Sequence, residues 1–435
     1  MSSVSLPELP KGKEFEEFIS AYFQSSGLYV ERNIIDKGVE EVLELDIITT
    51  DYDKTPPFIK LHEIKSGGWG FPDIFKLRGW IDYLNIPSAL LVVNVNKSNI
   101  EFAKEKAKPL SVDIVVVENL ENTASALYDF YPSEEINKAD VAIWRFSYWV
   151  ERNILHYLNQ KKKAHKDKKS YAALEKYYYE ISSGIFFTEN IVDRVGKLYD
   201  AYREHPRISA KCGNEMIGGS FDDDPATLPK KIFSDTYYNC KINDIQISTF
   251  IEHRARLALL KSAVDFKLYE IAGIKSKTES YFELLGVKIP NLDFLPRTFV
   301  VGLNQISTHK YFHRYPVFWQ WFLYYFGGFI LKDYEEQEYK LLSEKTGIPV
   351  DEIPNAFSAY QILFPVESGW LMDLPNSNIS CLRMFSVPFM GIGANVRRIM
   401  YTTEEGKFDE LKTTGLHTLN DLKKWNNLVV ELLGQ

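Results

Sequence analysis

Two runs constrain the chain most: SALLVVNV (Ser88–Val95) and VDIVVVENL (Val112–Leu120), separated by the helix-like SNIEFAKEKAK. A strand that is apolar at nearly every position belongs inside a sheet covered on both faces. Two such strands joined through a helix read as parallel neighbours. The segments upstream supply the rest of the layer. KEFEEFISAYFQSSG places Phe15, Phe18, Ile19, Tyr22 and Phe23 on one helical face and stops at Gly27. LYVERNII, VLELDIITT and FIKLHEIK read as strands, the last two joined by the turn DYDKTPP. PDIFKLRGWIDYL reads as a helix opened by Pro72 and Asp73. The order is helix, three strands, helix, strand, helix, strand: an α/β unit of about 125 residues, a usual domain size.

After Tyr131 the texture changes. VAIWRFSYWVERNILHYL and YAALEKYYYEISSGIFF read as helices flanking the basic run KKKAHKDKK (Lys161–Lys169). CGNEMIGGSFDDDPATLP reads as loop, with Asp222–Asp224 as a cap cluster. Helical patterns then dominate around Ile251–Lys261, Trp319–Leu331 and Leu422–Leu433. With 435 residues the chain is too long for one core. The expected division is 1–130 and 131–435, the latter a mostly helical recognition or regulatory region with a sub-domain boundary near Pro225. VFWQWFLYYFGGFIL (Val317–Leu331) is shorter than the roughly 20 apolar residues of a membrane span, so a buried helix is expected and no membrane partner. The start, MSSVSLPELPKGKEF, has no apolar run of the kind a signal peptide needs. Cys212, Cys240 and Cys381 form no CxxC pair, so free thiols and a cytoplasmic setting are expected.

The net charge of −8 does not advertise a polyanion partner. Residues 1–130 carry 13 Lys and Arg against 21 Asp and Glu, which accounts for the whole excess. A cation, or the neutral remainder of the chain, must therefore help any nucleic acid approach.

KLHEIKSGGWG (Lys60–Gly70) puts Glu63 and Lys65 on one strand face, just before glycines. A turn centred near Lys54 pairs residues whose numbers sum to about 109, which sets Asp46 opposite Glu63. Leu45, Ile47 and Ile64 then fall on the core side with His62, and Asp46, Glu63 and Lys65 on the other. Directly opposed carboxylates repel. Lys65 offsets part of that repulsion, and a hard divalent cation such as Mg²⁺, with Mn²⁺ able to substitute, would offset the rest. Asp46 and Glu63 are thus candidate metal ligands. The glycines let backbone come close. Trp69 is a candidate base or sugar contact, and Lys76, Arg78 and the run Lys161, Lys162 and Lys163 are candidate phosphate contacts.

The sequence ELD followed by EIK across a hairpin, after an acidic first helix, resembles the PD-(D/E)XK nuclease superfamily, the restriction-endonuclease-like fold. GKEFEEFISAYFQSSGLYVERN is similar to the opening of its Mrr-like branch, with Gly12, the Phe15–Glu16 pair and Gly27 in place. The resemblance covers about the first 125 residues. It implies a metal-binding Asp46, an acidic Glu63, a Lys65 that orients the attacking water, a helical acidic residue at Glu16, and a metal contact from the Ile64 backbone carbonyl. Leu45 stands where the family name has proline. The implied activity is Mg²⁺-dependent hydrolysis of DNA phosphodiesters by an endonuclease, in prokaryotic antiviral defence. The alternatives are a repair or recombination nuclease on branched DNA, and a catalytically silent module that binds nucleic acid or a partner protein. A homodimer or partner through the C-terminal region is a further expectation.

Overall fold

The computed structural model describes residues 10–37, 41–131, 136–181, 191–216, 219–222, 244–274, 284–285, 292–367, 369–373, 378–383, 389–393 and 396–397. The chain divides into two compact units that meet in sequence at Tyr148 and Trp149, inside one long helix, not at residue 130.

The first unit runs in the predicted order: α1 (Lys13–Ser25), β1 (Tyr29–Lys37), β2 (Glu41–Asp51), β3 (Phe58–Lys65), α2 (Phe71–Leu84), β4 (Ala89–Val93), α3 (Ile100–Ala107), β5 (Val112–Val116) and the short α4 (Thr123–Leu127). The five strands form one mixed sheet in the order β1-β2-β3-β4-β5. β1, β2 and β3 are an antiparallel meander, while β3, β4 and β5 are parallel. All five residues of β4 are buried, as its unbroken apolar run requires.

The β2–β3 register follows the turn. Ile47 faces His62 and Ile48 faces Leu61, so one further step sets Asp46 against Glu63. Even-numbered β3 side chains point toward α1, where the His62 ring lies 4.4 Å from that of Phe23. His62 is fully buried and exchanges a 2.8 Å hydrogen bond with Thr49 Oγ1, a core histidine as its alternation predicts. Odd-numbered side chains point toward α2. The Glu63 face, expected on the side away from the core, is therefore covered too. It is a second covered layer, and Glu63 is only 1% exposed. The α1 helix is also buried more widely than its apolar stripe predicts, since Glu17, Ser20 and Gln24 are all buried.

The second unit is mostly helical. It holds the C-terminal part of α5 (Lys138–Ala164), then α6 (Lys169–Tyr179), α7 (Ile191–Met216) and α8 (Asp244–Ile271). The segment Cys212–Met216, expected to be loop, completes α7. There the Glu215 carboxylate accepts the Lys169 N–H at 2.8 Å, and also that of Ser170, capping α6 from another helix. A small antiparallel sheet, absent from the sequence-based expectation, follows: β6 (Phe329–Leu331), β7 (Leu371–Asp373) and β8 (Ile379–Leu382), in the order β6-β8-β7. The aromatic run before it is buried but is not one helix. An α-helix ends at Gln320, Trp321–Tyr325 is π-helical, and Gly327 and Gly328, at φ of 70° and 74°, turn the chain into β6. A Cβ on Gly327 would lie 2.3 Å from the Phe389 carbonyl oxygen, so only glycine fits. Cys212 and Cys381 are buried, and neither is in a disulfide. Among the described residues no helix is long and apolar enough to cross a membrane. The expected boundary near Pro225, Asp223, Asp224, Cys240 and the Leu422–Leu433 helix lie outside the described residues.

Candidate active site

Backbone geometry assembles the site before side chains do. Leu61 donates its N–H to the Ser88 oxygen, and Lys65 offers its carbonyl to Asn94. The odd β3 residues therefore turn their backbone groups toward β4, and Ile64 turns its own toward β2. There the Ile64 N–H donates to Asp46 Oδ2 at 2.8 Å, locking the Asp46 side chain against β3. The Ile64 carbonyl shares that edge with the Asp46 carboxylate. The start of α1 is tied to the loop after β3, because the Gly12 N–H donates to Ser66 Oγ at 2.6 Å. That tether brings Glu16 close enough for its charge to act on Asp46.

Glu63 is the centre of the cluster. Its Oε1 receives two ammonium groups, Lys65 Nζ at 2.5 Å and Lys76 Nζ at 2.9 Å. Its Oε2 is buried and has no hydrogen-bond partner among the described residues. An orphaned carboxylate oxygen is costly unless something positive meets it. Asp46 has no ion-pair partner among the described residues, and its carboxyl is pushed up to about 7. Burial is the main cause, followed by the charges of Glu63 and Glu16, while the Ile64 N–H and Lys65 pull the other way. Burial works to lower the Lys65 pKa, but the hydrogen bond and charge of Glu63, with Asp46 and Asp73, hold it above the ordinary lysine value. Lys65 is thus a fixed cation and donor, not a base.

Glu16, 13% exposed, pairs with Lys13 at 3.2 Å. Glu17 instead lies buried with its Oε1 3.9 Å from Arg32 Nη2, away from the cluster. The residues outside the centre sort differently from their sequence-based assignments. Lys76 belongs to the carboxylate cluster, and its ammonium also lies 4.0 Å from the Trp80 ring centroid. Trp69 is buried. Its indole N–H donates to the Val95 oxygen at 2.9 Å and Lys97 sits over its ring, so it packs the loop and has no free face to wedge against a base. Arg78 is engaged with Asp82 at 2.5 Å and the Leu110 carbonyl at 3.3 Å. Gly67 and Gly68 are exposed, and a Cβ on either would meet open space, so the mouth beside Lys65 is clear.

Lys161, Lys162 and Lys163 end α5 in the second unit. Lys162 is bound to Glu175, and Lys161 lies over the Tyr157 ring at 5.2 Å. Lys169 pairs with Asp222 at 2.9 Å, which accounts for one of the three consecutive aspartates.

Sequence reasoning missed Lys76 as a partner of Glu63. The two are 13 residues apart across a glycine loop, and no periodicity fixes the path of such a loop. The donor set suits a hard cation: two carboxylates and a carbonyl, all oxygen. Among the described residues no group of three or more His, Cys, Asp or Glu side chains is clustered closely enough to hold a metal by itself. A cation here would therefore complete its shell with water and substrate oxygens, as Mg²⁺ commonly does. Comparison with known proteins gives no further guide, since no family model, curated protein or solved structure matches the chain.

Proposed function

We propose that the first unit is a Mg²⁺-dependent nuclease of the PD-(D/E)XK kind that hydrolyses DNA phosphodiesters. One observation carries the reading: a buried Glu63 Oε2 with no hydrogen-bond partner among the described residues, beside an Asp46 that has no ion-pair partner there and resists ionisation. Such a pair is poorly satisfied as a structural element and well suited to a divalent cation. Asp46, Glu63 and the Ile64 carbonyl would hold the ion, with Glu16 adding negative potential from α1. When bound, the ion lowers the pKa of its water and polarises the phosphate. Lys65 supplies a fixed donor where a water must be oriented and where phosphoryl charge grows. The Ile64 N–H keeps Asp46 in one rotamer, so the cluster is positioned before substrate arrives. The open glycine mouth admits a sugar–phosphate backbone. A role against foreign DNA, with the helical second unit recognising a target or partner, is the biological setting this chemistry fits.

The two ammonium groups already on Glu63 favour one competing reading, a silent nuclease fold that only binds. Supercoiled plasmid with Mg²⁺ separates the two. Wild type should nick or linearise it, EDTA should stop the reaction, and Asp46→Asn, Glu63→Gln and Lys65→Met should each lose about a hundred- to a thousandfold, the scale of one lost electrostatic contact at a reaction centre. Undiminished cutting by these variants, or none by wild type, would remove the proposal.

A further inference from the structure

The ion pair between Lys76 and Glu63 poses a question that nuclease chemistry alone does not answer. Glu63 needs one cation to be satisfied, and Lys65, on the same strand face, already supplies it at 2.5 Å. A second ammonium reaches the same oxygen from a different element, α2, at 2.9 Å. Glu63 alone therefore faces two ammonium groups without any metal. A divalent ion on the same carboxylate adds to that positive charge, and the like charges repel across a few ångströms. One ammonium must then move away. Lys65 is the shorter reach on the strand. Lys76 is the one equipped to leave, because its side chain is 40% exposed and the face of Trp80 already lies beneath its ammonium.

We propose that Lys76 is a resident counter-ion of Glu63 that a divalent cation displaces on binding, so that it competes with the metal and sets the site's affinity for it. This rests on the metal-site reading above. Displaced onto Trp80 and solvent, the same ammonium becomes free to meet a phosphate, so metal loading and phosphate capture are coupled through one side chain. A lysine that merely supports Glu63 would act in the opposite sense, and its removal would weaken metal binding.

Calorimetric titration of MnCl₂ into the full-length protein decides between the two. Lys76→Met keeps the side-chain length and the packing on Trp80 but removes the charge. It should bind Mn²⁺ more tightly than wild type by about three- to tenfold, the effect of deleting one partly exposed competing charge. Lys76→Arg retains the charge and should return the dissociation constant toward the wild-type value. An unchanged or weaker dissociation constant in Lys76→Met overturns the proposal while leaving the metal site in place. Asp46→Asn, titrated alongside, should abolish binding. If it binds like wild type, or wild type binds nothing, the metal-site reading itself fails, and that outcome is distinct from the first.

Discussion

Two buried carboxylates, one in each unit, show how a structural pin differs from a candidate site. Glu338 and Arg397 of the second unit are each 1% exposed. Arg397 Nε meets Glu338 Oε1 at 2.7 Å and Nη2 meets Oε2 at 2.9 Å, a two-pronged pair. The remaining donors go to the carbonyls of Phe326 at 2.7 Å, Gly393 at 3.2 Å and Phe329, and Leu331 N–H donates to Glu338 Oε2 at 3.1 Å. Both carboxylate oxygens are used, and the network clamps the π-helix, the glycine turn and β6 together. Glu63 is as deeply buried but is satisfied on one side only. Its cations are half-exposed lysines, its second oxygen has no partner among the described residues, and its neighbour Asp46 has no counter-ion there. A closed network holds a fold, whereas an open one leaves room for something to bind.

The largest effect expected from this contrast is on stability. Arg397→Ala leaves Glu338 buried without a cation and should cost about 3–5 kcal/mol in chemical denaturation. Glu63→Gln in metal-free buffer should change stability by less than about 1 kcal/mol, because Lys65 and Lys76 are 30% and 40% exposed and can return to water. Similar losses in the two variants would erase the distinction.

Next in size is a pH effect at Asp46. Its folded value of about 7 lies above the ordinary 3.8, so between these values the folded protein holds a proton that the unfolded chain has released. Stability therefore falls as pH rises from about 4 to about 7, and the full penalty persists above that window. Asp46→Asn removes the penalty. It should stabilise metal-free protein at pH 8 by up to a few kcal/mol, since each tenfold change in proton affinity is worth about 1.36 kcal/mol, and make almost no difference at pH 4. Thermal denaturation at the two pH values checks this, and a loss of stability at pH 8 would show that Asp46 is a structural pin after all.

The hairpin was legible because the turn fixes register: pairing across DYDKTPP places Asp46 against Glu63, and alternation alone puts His62 in the core. The depth of Glu63 was not legible. Which helix covers which face depends on where α2 packs, and the glycine loop before it carries no pattern. Lys76 and Trp69 exchange their expected parts for the same reason. The lysine turns inward to a carboxylate, and the tryptophan buries its ring under Lys97. In the second unit, Gly213 and Asn214 are weak helix formers and read as loop, yet α7 continues through them because Glu215 caps α6. β6 and β7, at three residues each, are too short for alternation to register.

The smallest effect is expected at the lysine run. Lys162 is closed onto Glu175, like a pin in miniature, while Lys161 and Lys163 end the helix without an acidic partner among the described residues. Changing Lys161 and Lys163 together to Gln should flatten the salt dependence of DNA binding by up to about 1.8 in slope, at about 0.9 per lost phosphate contact. Lys162→Gln should add less. An equal share from Lys162 would mean that DNA pulls it off Glu175.

The central claim is that the open carboxylate pair of the first unit receives a divalent cation. The most direct test is anomalous diffraction from crystals equilibrated with Mn²⁺. The account predicts a single strong peak between β2 and β3, about 2.1 Å from an Asp46 oxygen and from Glu63 Oε2, with the Lys76 ammonium withdrawn from Glu63. A peak elsewhere, or an empty site at saturating Mn²⁺ with both lysines still on Glu63, would contradict it.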